Sequence, residues 1–110
     1  MDERERRIAE NEILYRTVNE KIEGLNEAFG TLTDTMSIVC ECGYESCTEQ
    51  IELDVATYER VRSESTLFVI LPGHSVADVE SVVEQGDGFV IVRKDAGEAA
   101  TLAAEHDPRG

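Results

Sequence analysis

The chain has no tryptophan, only two prolines, and few basic side chains for its length. Ten Lys and Arg stand against 24 Asp and Glu, a formal net charge of −14. Binding a nucleic-acid backbone needs Lys and Arg to displace counterions along the phosphates, so this composition argues against nucleic acid. It suits a basic partner surface, or simple solvation of the exterior. No run approaches the ~20 apolar residues of a membrane span, and no membrane role is expected. The opening segment, Met1-Asp2-Glu3-Arg4-Glu5-Arg6-Arg7, is charged and has no apolar signal segment behind it, which points to a cytoplasmic protein. Cysteine is scarce too: three residues, an odd number, all between positions 40 and 47. That is no secreted disulfide framework. Internal repeats and Gly-rich phosphate loops are also missing, and Gly86-Asp87-Gly88 reads as a hairpin turn.

What remains is one domain of 110 residues. A chain near this size buries only about 60–70% of its unfolded surface, so a metal staple would help it. The pattern predicts an α+β fold in three stretches. Residues 1–30 form a long amphipathic helix, 36–94 a zinc-stabilised core, and 95–110 a flexible or frayed-helical tail. In the helix Ile8, Tyr15, Ile22 and Phe29 recur every seven residues, with Asn11, Val18 and Leu25 on the second seam position. Gly30 is placed to stop it. The seam is expected to dock on its own domain, pair with a second copy or take a partner helix, with Ile8, Tyr15, Val18, Ile22 and Leu25 as the contact residues.

After a polar linker, Thr31 to Thr35, the period changes. Ser37–Cys40 and Glu49–Leu53 read as strands around the cysteine loop. Asp54 is a candidate N-cap for a short helix, Val55–Arg62, with Tyr58 and Val61 inward. Leu67–Leu71 reads as a buried strand closed by Pro72-Gly73, and Phe89–Arg93 as another. Residues 78–85 fit a helix or a strand. The core is therefore expected to be a small, mostly antiparallel sheet of four or five strands with one short helix packed on it.

Chemistry concentrates in Cys40-Glu41-Cys42-Gly43-Tyr44-Glu45-Ser46-Cys47. Structural zinc takes four ligands in a tetrahedron, mostly Cys sulfur and His nitrogen. Cys40, Cys42 and Cys47 supply three, with Gly43 giving the turn its freedom. His74, in Pro72-Gly73-His74 at a strand end, is the best fourth. The other histidine, His106, lies in the weak tail, and Glu41, Glu45 and Glu49 are reserves less suited to soft sulfur company. One structural Zn2+ per chain is expected. A filled Cys3His set leaves no open position for water or substrate, so an enzyme is not expected. The competing readings are a core cysteine at Cys40 and a redox-active thiol pair.

Several of these segments together resemble a group of short uncharacterised proteins of high-GC Gram-positive bacteria. They are Arg7-Ile8-Ala9-Glu10-Asn11-Glu12, Val18-Asn19-Glu20-Lys21-Ile22, the three cysteines, Tyr58-Glu59-Arg60-Val61-Arg62, Phe68, Pro72-Gly73-His74 and Gly86-Asp87-Gly88-Phe89-Val90. The resemblance covers about residues 5–94. It implies a bacterial cytosolic protein in which Cys40, Cys42, Cys47 and His74 belong together. The functional expectation is a small zinc-binding, non-enzymatic interaction or regulatory module. The alternatives are a thiol-based redox or metal sensor and, behind it, a small metalloenzyme.

Overall fold

A computed structural model describes residues 3–28, 35–42, 44, 47, 49–76, 79–95 and 97–109. Phe29, Gly30, most of the linker, Gly43 and Glu45 lie outside the described residues. The order is α1 (Glu3–Ala28), β1 (Thr35–Val39), β2 (Gln50–Asp54), α2 (Val55–Arg62), β3 (Leu67–Ile70), β4 (Glu80–Gln85), β5 (Val90–Lys94) and α3 (Glu98–Glu105). The class is α+β.

Polar and apolar residues alternate through β1 and β2, and the structure uses the alternation. Met36, Ile38, Ile51 and Leu53 go inward while Thr35, Ser37, Gln50 and Glu52 face out. The two strands pair antiparallel from Thr35–Asp54 to Val39–Gln50. Asp54 stands at the N-cap of α2 in extended conformation, without a side-chain cap bond. Helix α2 buries Tyr58, Val61 and Arg62. The apolar run of β3 is buried at every position and pairs antiparallel with β5. The ambiguous stretch resolves as strand: β4 is an edge strand on β5, reached through the Gly86–Gly88 turn.

One of these features corrects the sequence reading. The sheet is not one but two, β1-β2 and β3-β5-β4. They meet where Glu41 N donates to Val69 O (2.9 Å). Val69 N donates in return to the Glu41 side chain (2.9 Å), so a carboxylate stands where a main-chain carbonyl would continue the ladder. In the stretch expected to be a flexible or frayed-helical tail, residues 98–105 form α3, with Ala103 buried. Beyond it Arg109 reaches Glu20 and Glu23 of α1 and Glu59 of α2 at 3.0, 3.2 and 2.6 Å.

The larger correction concerns α1, which packs on β1 and α3. Its buried residues are Ile8, Ala9, Glu12, Arg16, Asn19 and Glu23. Ile8, expected among the partner contacts, fills a small cluster with Val76 and Val79 inside the domain. Tyr15, Val18 and Ile22 are half-buried, and Leu14 and Leu25 are exposed at 55% and 57%. At ~3.6 residues per turn the stripe Leu14, Val18, Ile22, Leu25 lies about 140° around the helix from the buried face. The helix therefore docks with its polar side inward, the reverse of the usual amphipathic arrangement.

That orientation holds because the inward polar groups meet specific partners. Arg16 donates to Ser65 O (2.7 Å) and Ala103 O (2.8 Å) and stacks over Phe68 at 5.1 Å. Glu12 meets Lys94 Nζ at 2.5 Å, and Lys94 also reaches Glu80 at 3.2 Å. Glu80 additionally accepts from Val76 N (3.1 Å). Burial, and secondarily the Glu80 carboxylate, push the Glu12 carboxyl well above its ordinary value, against the pull of Lys94.

Candidate metal centre

Three segments build the centre. The first is the end of β1: Cys40 N donates to Glu49 O (2.8 Å), which continues the β1–β2 register for one more residue and sends the chain into the cysteine loop. The second is the return of that loop, where Cys47 N donates to Tyr44 O (3.0 Å). The third is the turn after β3. His74 N donates to Leu71 O (3.1 Å), and Gly73 has φ +85°. Pro followed by a positive-φ Gly is the type II turn pattern, and it swings His74 back toward β1.

The outcome is a compact cluster. The Sγ atoms of Cys40, Cys42 and Cys47 and a ring nitrogen of His74 all lie within 4.8 Å of one another. His74 Nδ1 is 3.8 Å from Cys40 Sγ and 3.7 Å from Cys47 Sγ. Bonds of about 2.3 Å to sulfur and 2.0–2.1 Å to nitrogen in a tetrahedron separate S and N by about 3.6 Å. The two His74–sulfur distances are close to that edge. The three cysteines are free thiols and buried, and His74 is half-exposed under the edge of Tyr44, whose ring stands perpendicular to the imidazole at 6.2 Å.

The electrostatics favour sulfur anions. A hydrogen bond from the Cys42 thiol, with help from Leu71 N–H (3.2 Å) and His74, lowers the Cys40 thiol to about 6. Cys42, which gives that bond and is buried, is pushed upward. A cation that displaced the proton of that bond would meet two thiolates. Three cysteines and one imidazole are compatible with a metal site.

All four sequence-predicted ligands are brought together. Among the described residues the reserves Glu41 and Glu49 are not part of the cluster. Glu41 is fully buried and turned into an ion pair with Arg62, at 2.9 Å. Glu49 is exposed, and His106 is exposed at the end of α3.

Sequence reasoning missed the shell behind the ligands. Glu41, between the first two cysteines, accepts from Arg62 Nη2 (2.9 Å), Arg62 Nη1 (3.3 Å), Val69 N (2.9 Å) and Asn19 Nδ2 (2.7 Å). Arg62 also donates to Leu67 O (2.9 Å) and lies between Tyr58 and Phe68 at 5.3 and 5.8 Å from their ring centres. Asn19 takes both main-chain groups of Val39, donating to O and accepting from N at 2.8 Å each. A signal existed: Ala9, Arg16 and Glu23, with Glu12 and Asn19, repeat at the same heptad spacing as the apolar seam.

Neither a family model, nor a curated protein, nor a solved structure matches this chain. The functional reading therefore rests on the geometry above.

Proposed function

We propose that this chain is a zinc-stabilised, non-enzymatic interaction module. The observation that carries the reading is the Cys40–Cys42–Cys47–His74 cluster, whose ligand atoms lie within 4.8 Å of one another on three separate segments. Zinc is the ion of choice for three thiolates and one imidazole, and one ion would tie the cysteine loop to the His74 turn. Four protein ligands complete a structural tetrahedron and leave no position for a substrate, which argues for scaffold rather than catalyst. Free thiols so placed suit a reducing, cytoplasmic setting. Among the described residues no helix is long and apolar enough to cross a membrane.

The interaction half of the reading draws on the outward stripe of α1, Leu14, Val18, Ile22 and Leu25, with Tyr15 at its border. Its occupant would be a protein partner or a second copy of the chain. Native mass spectrometry of untagged protein tests both halves at once. One zinc per chain is the expected mass; three free thiols and no metal would sink the reading.

A second reading is favoured by Cys40, whose lowered thiol would be the reactive one in an oxidative release of the ion. Dilute peroxide separates the two. A scaffold keeps its zinc, whereas a sensor loses it and recovers it with reductant.

A further inference from the structure

We propose that Asn19 of α1 is a positioning residue of the metal centre, and that metal binding and the docking of α1 are linked through Glu41. The proposal deepens the zinc reading above and rests on it.

The link is a short chain of contacts. Glu41 is the residue between two ligands, so its main chain sets where Cys40 and Cys42 project. Its carboxylate is held from three elements: by Arg62 of α2, by Val69 N of β3 and by Asn19 Nδ2 at 2.7 Å. Asn19 also pairs with the N–H and C=O of Val39, as a residue of a neighbouring strand would. One fully buried side chain of α1 thus secures the main chain entering the loop and the carboxylate inside it. Groups behind a metal's ligands fix their orientation, and their loss typically weakens metal affinity 10–100-fold.

The other anchors of α1 lie elsewhere. Glu12 grips Lys94 of β5, which in turn reaches Glu80 of β4, and Arg16 grips the carbonyls of Ser65 and Ala103. Among the described residues neither makes a hydrogen bond to the cysteine loop, whereas Asn19 bonds both Val39 and Glu41. Linkage is reciprocal: if α1 preorganises the loop for metal, the metal must stabilise the docked helix by the same factor. Loss of the ion would therefore loosen α1 around Asn19 first and leave β3 and β5 in place.

Cobalt titration of the full chain tests this, with Co2+ standing in for Zn2+. Asn19→Ala should weaken binding at least ~10-fold and shift the ligand-field bands. Lys21→Ala, two residues away at an exposed position, should leave both unchanged. A smaller loss, or a tenfold loss with unaltered bands, would overturn the positioning role. Hydrogen exchange of the unmutated protein gives an answer that does not depend on the variant folding. Chelation should speed exchange in residues 16–25 at least tenfold more than in β3 and β5; equal or smaller acceleration in α1 overturns the linkage. Should the unmutated protein take up neither zinc nor cobalt, the metal reading itself fails, an outcome distinct from a metal site indifferent to Asn19.

Discussion

Substituting Arg62 by leucine tests the pivot of the fold. Arg62 and Glu41 are both almost fully buried, their side chains exposed by 1% and 0%. Leucine keeps much of the packing between Tyr58 and Phe68 but strands the Glu41 carboxylate with only Asn19 and Val69 N to face. Removing one partner of a buried ion pair costs about 3–5 kcal/mol, because the remaining charge has lost its compensation. A domain of this size holds about 5–15 kcal/mol in all, so Arg62→Leu should sit near the edge of folding. Urea denaturation in excess zinc measures the loss. Glu41→Gln, placed on top of Arg62→Leu, removes the stranded charge and should recover at least about 1 kcal/mol. The exposed pair Arg60–Glu84, at 2.6 Å, is the internal control, and its loss should not be measurable. If Arg62→Leu cost under about 1 kcal/mol, or the double variant were no better than the single one, Glu41 would not be the buried anion described here.

Other outcomes follow from the same geometry. Cys47→Ser should weaken zinc binding by at least ~10-fold in chelator competition, and chelation should lower the melting temperature of the unmutated protein. Gly73→Ala meets open space but must adopt φ +85°, so it should cost about 1 kcal/mol and weaken zinc binding by displacing His74; equal affinity would refute the turn's role. Leu14→Glu and Leu25→Glu should change stability by no more than about 0.5 kcal/mol and abolish self-association or partner capture, as read by sedimentation and pull-down. Ile8→Asp should instead destabilise the fold, because that side chain is enclosed by Val76 and Val79. Glu12 predicts a pH effect. Its carboxyl is raised above 4.5 in the folded chain, so the folded state binds the extra proton, and stability from this group falls as pH rises past about 4.5. Glu12→Gln should flatten that decline in urea melts taken across pH; a slope matching the unmutated protein's would mean that Lys94 keeps Glu12 ionised.

Much of this architecture was legible. Gln50–Asp54 alternates polar and apolar, and β2 uses that alternation. Leu67–Ile70 is apolar throughout, and β3 is covered on both faces. The cysteine spacing and Pro72-Gly73-His74 pointed to the four residues that the structure clusters, because thiols in a tight loop and an imidazole on a type II turn have few other uses in one small domain. The stretch 78–85 was undecidable because Val82 and Val83 are exposed by 44% and 47%, so neither periodicity had a core to report. The split of the sheet was hidden for another reason. It depends on a side chain, Glu41, taking the place of a main-chain carbonyl, and no pattern of hydropathy encodes that.

The orientation of α1 is the instructive failure. Periodicity locates the side of a helix with the larger transfer free energy, and it assumes that this side goes inward. Here the inward side carries Glu12, Arg16, Asn19 and Glu23, and each meets a partner at a fixed place. Hydrophobic contacts would tolerate sliding by a turn, whereas Asn19 on both main-chain groups of Val39 admits one register only. The polar face thus fixes where the helix sits, at some expense in stability, and that fixed seat holds the segment that carries Cys40 and Cys42. The same inversion leaves Leu14 and Leu25 facing solvent on a helix whose position is determined by other residues. A partner that covered them would act on α1 from outside. Through Asn19 and Glu41, its binding and that of the metal would then be felt by each other.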